Sequence, residues 1–198
     1  MPPKVYAIDQ YFLALSGILS NSKANGLDGM PLLLPEALTT AVEFVKTLKP
    51  TGHKAMIIGN GGSAALASHF QNDLCKAANI RATVFTEQAL LTAFSNDESY
   101  ECAYERHVQL WGQKGDILIA ISSSGRSKNI LRAVETAKSL GSLVVTLSGF
   151  SPDNPLRKMG NINLYVSSSS YGLVELAHAV LLHFISDCAA GNFNEEQE

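Results

Sequence analysis

Five short apolar runs, Ala55–Ile58, Ala82–Phe85, Ile117–Ile121, Leu143–Leu147 and Ile162–Val166, constrain this chain more than any other feature. Each is a short, mainly apolar run rather than an alternating one, which is the pattern of a strand buried on both faces of a parallel sheet. Helical patterns separate them, at roughly 62–78, 87–110, 127–139 and 152–159, and a last one covers 172–190. Strand and helix alternating at this spacing predict an α/β, doubly wound, flavodoxin-like sheet of five parallel strands flanked by helices. Before the first strand, apolar residues recur at helical spacing from Val5 to Ser20. A second pattern opens at Pro35 and ends near Pro50, and the two predict an N-terminal helical hairpin over 1–50. The polar, turn-rich segment 21–30 between them reads as a loop. With no internal repeat and no linker, 198 residues make one domain, with an α/β sandwich over 51–190 and a flexible tail over 191–198.

Charge and cysteine usage exclude several classes. Fifteen basic against eighteen acidic residues give a net charge of −3, so no basic field is available for nucleic acid. Cys75, Cys102 and Cys188 form no CxxC and no paired framework, which points to reduced thiols and a cytoplasmic location. The first ten residues lack the charged and apolar regions of a secretory signal, and no apolar run of membrane-spanning length is present.

Two segments carry chemistry. Gly59-Asn60-Gly61-Gly62-Ser63-Ala64 leaves the first strand and opens a helix. There, free backbone N–H groups and the helix dipole favour an anion, and glycine lets the backbone approach it. A ligand-free tight turn is the plain alternative. Gly59-x-Gly61-x-x-Ala64 also fits a dinucleotide fingerprint, with Glu87 near the place of the acid that reading needs. Ser122-Ser123-Ser124-Gly125-Arg126-Ser127 leaves the third strand and enters the next helix. One N-cap needs one hydroxyl; four at a helix N-terminus suit a phosphate monoester. A nicotinamide enzyme would leave this serine loop unexplained.

GNGGSA followed roughly sixty residues later by SSSGRS resembles the SIS (sugar isomerase) domain, and within it the sedoheptulose-7-phosphate (phosphoheptose) isomerases. LTAFSNDESY at 91–100, GDILIAISSSGRSKN at 115–129 and ELAHAVLLH at 175–183 extend the match in order over about three-quarters of the chain. The resemblance implies an intramolecular oxidoreductase that interconverts sedoheptulose 7-phosphate and heptose 7-phosphate through an enediol. It further implies a divalent metal (Zn2+ by its donors), a cytoplasmic homotetramer with sites between subunits, and a role in heptose supply for lipopolysaccharide or capsule. Asn60, Gly61, Gly62, Ser63, Ser122, Ser123, Ser124 and Ser127 would hold the phosphate, and Asn96 and Asp97 the sugar hydroxyls. His69, Asp73, Glu175 and His183 would bind the metal, Asp73 and His183 would exchange the proton, and Glu175 would also contact substrate.

The residues themselves allow plainer readings. His69 and Asp73, at i and i+4, share a helix face as any surface pair would. Glu175 and His183 are eight residues apart, about 12 Å of helix rise, so both must lean to a midpoint to share one ion. His178 reads as a packed histidine. The family's usual set has Glu at the place of Asp73, Gln at Glu175, Thr at Tyr171 and more often Asn at Arg126. A second class of protein therefore stays open: a SIS-fold regulatory or assembly protein, without turnover, that binds a sugar phosphate or a replication initiator.

Overall fold

The computed structural model describes residues 7–193. In chain order its elements are α1 (Ile8–Ser20), β1 (Lys23–Asn25), β2 (Pro31–Leu32), α2 (Leu34–Thr51), β3 (Ala55–Gly59), α3 (Gly62–Lys76), β4 (Ala82–Val84), α4 (Gln88–Asp97), α5 (Ala103–Trp111), β5 (Ile117–Ser122), α6 (Lys128–Ser139), β6 (Leu143–Ser148), β7 (Ile162–Tyr165) and α7 (Tyr171–Ala190). Val5 and Tyr6 of the first helical pattern, and the expected flexible tail beyond Phe193, lie outside the described residues.

The sheet has seven strands and is mixed, in the order β2-β1-β7-β6-β5-β3-β4. This corrects the expectation of five parallel strands. β3 to β7 are mutually parallel, and the two extra strands lie in and just after the segment read as a loop, where β1 runs antiparallel to β7 and to β2. Strands of three and two residues are too short to show a period. They form because β7 would otherwise leave an open edge, and Asn163 Nδ2 fixes them by donating to the carbonyls of Asn25 (3.2 Å) and Gly26 (3.1 Å). The N-terminal helical hairpin is corrected as well. α1 and α2 flank the short β-hairpin, and each packs on α7.

The interior strands are mostly apolar because both sheet faces are covered, and their buried polar side chains Thr146 and Asn163 hydrogen-bond each other. Ile57, Ile119, Ile121 and Leu147 point into a core with Val45, Leu48, Phe70, Leu74 and Leu181 of α2, α3 and α7. Met56, Ile58, Leu118 and Val144 point the other way, onto Tyr104, Val108, Ile130 and Val134 of α5 and α6. Full burial of one such side chain stabilises by about 1.5–3 kcal/mol. The pattern over 87–110 breaks into α4 and α5, and that over 152–159 contracts to a 3-10 turn, Pro155–Lys158. By length and composition alone α7 could cross a bilayer. It packs against α1, α2 and α3 and buries Val174, Ala177, His178, Leu181, Leu182 and Ile185.

The sheet order sets the place of a site. The chain proceeds outward from β3 to β4, then crosses to β5 on the opposite side of β3. Ligands of open α/β sheets bind in the crevice beyond the strand C-termini at such a reversal. Gly59 and Ile121, paired in register, deliver both informative loops to that crevice.

Candidate active site

At the end of β3 the backbone turns so tightly that a Cβ on Gly59 would lie 2.6 Å from Ser63 backbone atoms. Gly61 has φ 55°, ψ −122°, a region open to glycine and strained for other residues. α3 then starts at Gly62 without a side-chain cap, and Ser63 is buried in its first turn. Beside it, Ser122 Oγ donates to Ser127 Oγ (3.4 Å) and accepts from Gly125 N (3.2 Å), while Ser124 Oγ accepts from Arg126 N (3.3 Å). Ser127 stands at the N-cap of α6 yet makes no capping bond. Ser123 Oγ is buried without a partner. Ser122 and Ser124 bond within their own turn, yet all four serines of the loop line a cavity.

That cavity is about 130 Å3 and is lined by Asn60, Ser63, Ile121, Ser122, Ser123, Ser124, Ser127, Tyr171 and Glu175. Pockets for drug-sized ligands run to roughly 300–1,000 Å3, so this one suits a phosphate group and not a dinucleotide. Glu87, the acid a dinucleotide would need, is spent as the N-cap of α4. It accepts from Ala89 N (3.0 Å) and Leu90 N (2.7 Å), and these bonds hold its carboxyl below the usual carboxylate range. Reciprocal side-chain bonds tie the two loops together: Asn60 Nδ2 donates to Asn129 Oδ1 (3.0 Å) and Asn129 Nδ2 to Asn60 Oδ1 (2.9 Å). Tyr100 Oη also donates to Asn60 Oδ1, at 2.8 Å.

A second group lies further along the same helices. His69 and Asp73 of α3 and His183 of α7 bring one donor atom each within 4.8 Å of one another. Asp73 Oδ2 is 3.5 Å from His69 Nε2 and 3.4 Å from His183 Nδ1, and it is buried with no hydrogen-bond partner. Apolar side chains, among them Leu66, Phe70 and Leu182, wall the group. Two imidazole nitrogens converging on one unsatisfied carboxylate oxygen fit a divalent cation of the zinc type, which takes His and carboxylate ligands and in catalytic sites keeps an open position. Asp73, one methylene shorter than Glu, still reaches both rings.

Glu175 stands outside this group. Its carboxylate lies against Gly62 at the head of α3 and lines the serine pocket. Asn96 and Asp97, at the end of α4, are exposed, bond to each other (2.9 Å) and do not line the pocket. Arg126 is paired with Asp153 at 3.2 Å on the surface. Tyr171 lines the pocket, its ring edge-on to Phe150 with centroids 4.7 Å apart. His178 is fully buried, with Nε2 3.1 Å from Ser148 O, and burial pushes it down to about 4.

The SIS domain model matches residues 32–149. The phosphoheptose isomerase of Helicobacter pylori strain P12 is 33% identical over 192 residues, covering 94% of this chain and 95% of that protein. The chain belongs to the phosphoheptose isomerase family of SIS-domain proteins. Solved phosphoheptose isomerases from Francisella tularensis and Neisseria gonorrhoeae superpose with TM-scores of 0.79 and 0.78, at 28% and 26% identity. They cover 93% and 92% of this chain, and it spans 96% and 97% of theirs.

As a member of this family, the protein carries site residues that motif reading did not single out. Asn129 clamps the loops, Tyr100 steadies Asn60, and Tyr104 Oη donates to Gly59 O (2.5 Å) beneath the glycine turn. An Asn just inside a helix and two Tyr on separate elements share no spacing that sequence alone could flag.

Proposed function

We propose that the protein is a cytoplasmic, metal-assisted aldose–ketose isomerase that interconverts sedoheptulose 7-phosphate and heptose 7-phosphate. The observation that carries this reading is the pairing of a hydroxyl-lined phosphate pocket with a His–Asp–His group further along the same two helices. α3 and α7 advance in one direction, since Glu175 meets Gly62 and His183 meets Asp73. From Ser63 to His69 is about 9 Å of helix rise, and from Glu175 to His183 about 12 Å. A phosphorylated seven-carbon chain can bridge that span; a triose phosphate cannot. Binding energy gathered at the phosphate then holds the distant reacting carbons in place.

Isomerisation removes a proton from one carbon and returns one to its neighbour, through an enediol. We assign Asp73 and His183 to this exchange. Asp73 Oδ1, which accepts only a 3.2 Å bond from Asn72, serves as the base. His183 turns Nδ1 toward Asp73, and its Nε2 carries the proton that is returned. His69, Asp73 and His183 would hold the metal, which supplies Lewis-acid polarisation of the sugar's carbonyl and hydroxyl oxygens. Ser63, Ser122, Ser124 and Ser127 hold the phosphate, while Tyr171 narrows the pocket. Asn96 and Asp97 are assigned to sugar hydroxyls on the resemblance alone. Three free cysteines agree with a reducing compartment. The chain acts as one domain and assembles as a homotetramer, for which exposed Phe12 and Leu13 on α1 and Leu176 and Val180 on α7 offer apolar surface.

Chelator-treated protein reloaded with zinc is assayed on sedoheptulose 7-phosphate by a coupled reaction. Activity should vanish on stripping, return on reloading, and stay lost in His183→Ala. Zinc-replete protein without turnover would overturn the isomerase reading in favour of a non-catalytic SIS protein.

A further inference from the structure

The phosphate pocket contains a group that a simple anion site would exclude. Its serine hydroxyls are donors, but one wall is the Glu175 carboxylate. A Cβ on Gly62 would lie 2.4 Å from Oε1 and 2.6 Å from Oε2 of Glu175, so only glycine at 62 seats the carboxylate there. The position is the head of α3, where the helix dipole favours a negative charge. Among the described residues no lysine, arginine or histidine pairs with Glu175. Its charge is thus presented to the pocket uncompensated by a side chain.

We propose that Glu175 is a specificity-determining residue that makes the pocket prefer a phosphate borne on a polyhydroxy chain over free inorganic phosphate. The proposal rests on the reading of this cavity as a phosphate pocket. Any phosphate entering it meets like-charge repulsion from the carboxylate, since unit charges a few ångströms apart interact appreciably even at high dielectric. A sugar phosphate recovers that cost, because hydroxyls on its chain donate charge-assisted hydrogen bonds to the same carboxylate. Free phosphate can offer the carboxylate only its own P–OH, on the group the serines already hold, and so recovers less of that cost. The carboxylate that opposes one anion therefore selects the other, and keeps the site clear of a small competitor that the serines alone would accept.

The test uses zinc-loaded full-length protein and its Glu175→Gln variant, of nearly equal volume, titrated calorimetrically with inorganic phosphate and with heptitol 7-phosphate, a reduced substrate that cannot turn over. In E175Q, phosphate should bind about tenfold tighter, a change equivalent to about 1.4 kcal/mol. Heptitol 7-phosphate should bind several-fold weaker, and the gain for phosphate should shrink in 0.5 M salt (roughly a 4–5 Å screening length). Zinc content measured alongside guards against loss of the metal, and Glu175→Ala should change phosphate binding in the same direction if E175Q does not fold. An unchanged ratio of the two affinities in the folded variant would overturn the proposal. Wild-type protein that binds neither ligand would instead overturn the phosphate-pocket reading itself.

Discussion

Asn129 is buried and makes no contact with the cavity, yet it sets the distance between the cavity's two halves. Its amide exchanges two hydrogen bonds with Asn60 and caps Ile130 N at 3.0 Å. Asn129→Ala frees the glycine loop from the serine loop, so phosphate capture should suffer before chemistry does. We expect KM to rise about tenfold with kcat changed less than threefold, a loss of about 1.4 kcal/mol that matches two net neutral hydrogen bonds. An equal fall in kcat would place Asn129 in the chemistry instead. His178 makes a prediction about pH. Its ring is fully buried and its Nε2 bonds Ser148 O, so the fold accommodates the neutral form and burial pushes its pKa from 6.5 to about 4. Between those values the unfolded chain binds more protons than the folded one, and stability falls as pH drops through that window. At pH 5 the loss is about 2 kcal/mol; above pH 6.5 this residue contributes no slope. Urea unfolding of wild type and His178→Leu at pH 7 and pH 5 measures the effect: between the two pH values the variant should lose about 2 kcal/mol less than wild type. At this scale the serines and the His69–Asp73 pair were legible because hydroxyls in excess of one cap, and an i, i+4 His–carboxylate pair, are visible in one dimension. Asn129 was not, since an Asn at the start of a helix reads as an ordinary turn residue.

The elements divide along the same line. Interior strands declare themselves through short, mainly apolar runs, and β3, β5 and β6 fall within a residue or two of the runs that predict them. β1 and β2 escape because β1 pairs with the edge of β7, some 140 residues away in sequence, and β2 pairs only with β1. α1 and α2 are legible as helices but not in their packing, because α7, the helix they share, lies at the other end of the chain. The seat of Glu175 escapes for a related reason. Its spacing to His183 is visible, but the close approach of its carboxylate to Gly62 depends on how α7 lies on α3. The opposite end of the sheet carries a purely structural device that no motif announces. Asp116 is fully buried; it pairs with Lys54 Nζ and accepts from the backbone N–H of Lys54 (3.0 Å) and of Gln113 (3.0 Å). Asp116→Ala strands a largely buried ammonium and two N–H groups, and should cost about 3–5 kcal/mol in denaturant unfolding. Its residual activity at low temperature should stay near wild type, because the pair lies at the strand ends far from the site.

For the whole molecule, α1 leaves an apolar side outside the core. Leu15, Ile18 and Leu19 pack partly buried against that core, while Ile8, Phe12 and Leu13 are more than half exposed. Apolar surface on such a scale is covered in an assembly, which the proposed homotetramer would supply. Light scattering should give the mass of four chains for wild type and a smaller species for Phe12→Glu; a monomeric wild type would contradict the assembly. The proposed activity needs two places in one molecule: an esterified phosphate held where β5 passes into α6, and a reacting end held by His69, Asp73 and His183. A crystal structure of the zinc-loaded protein with sedoheptulose 7-phosphate tests both at once. The account predicts phosphorus density within hydrogen-bond reach of Ser122, Ser124 and Ser127, with the carbonyl end directed at an ion between the two histidines. Sugar phosphate bound elsewhere, or an empty serine pocket beside an occupied metal group, would contradict it.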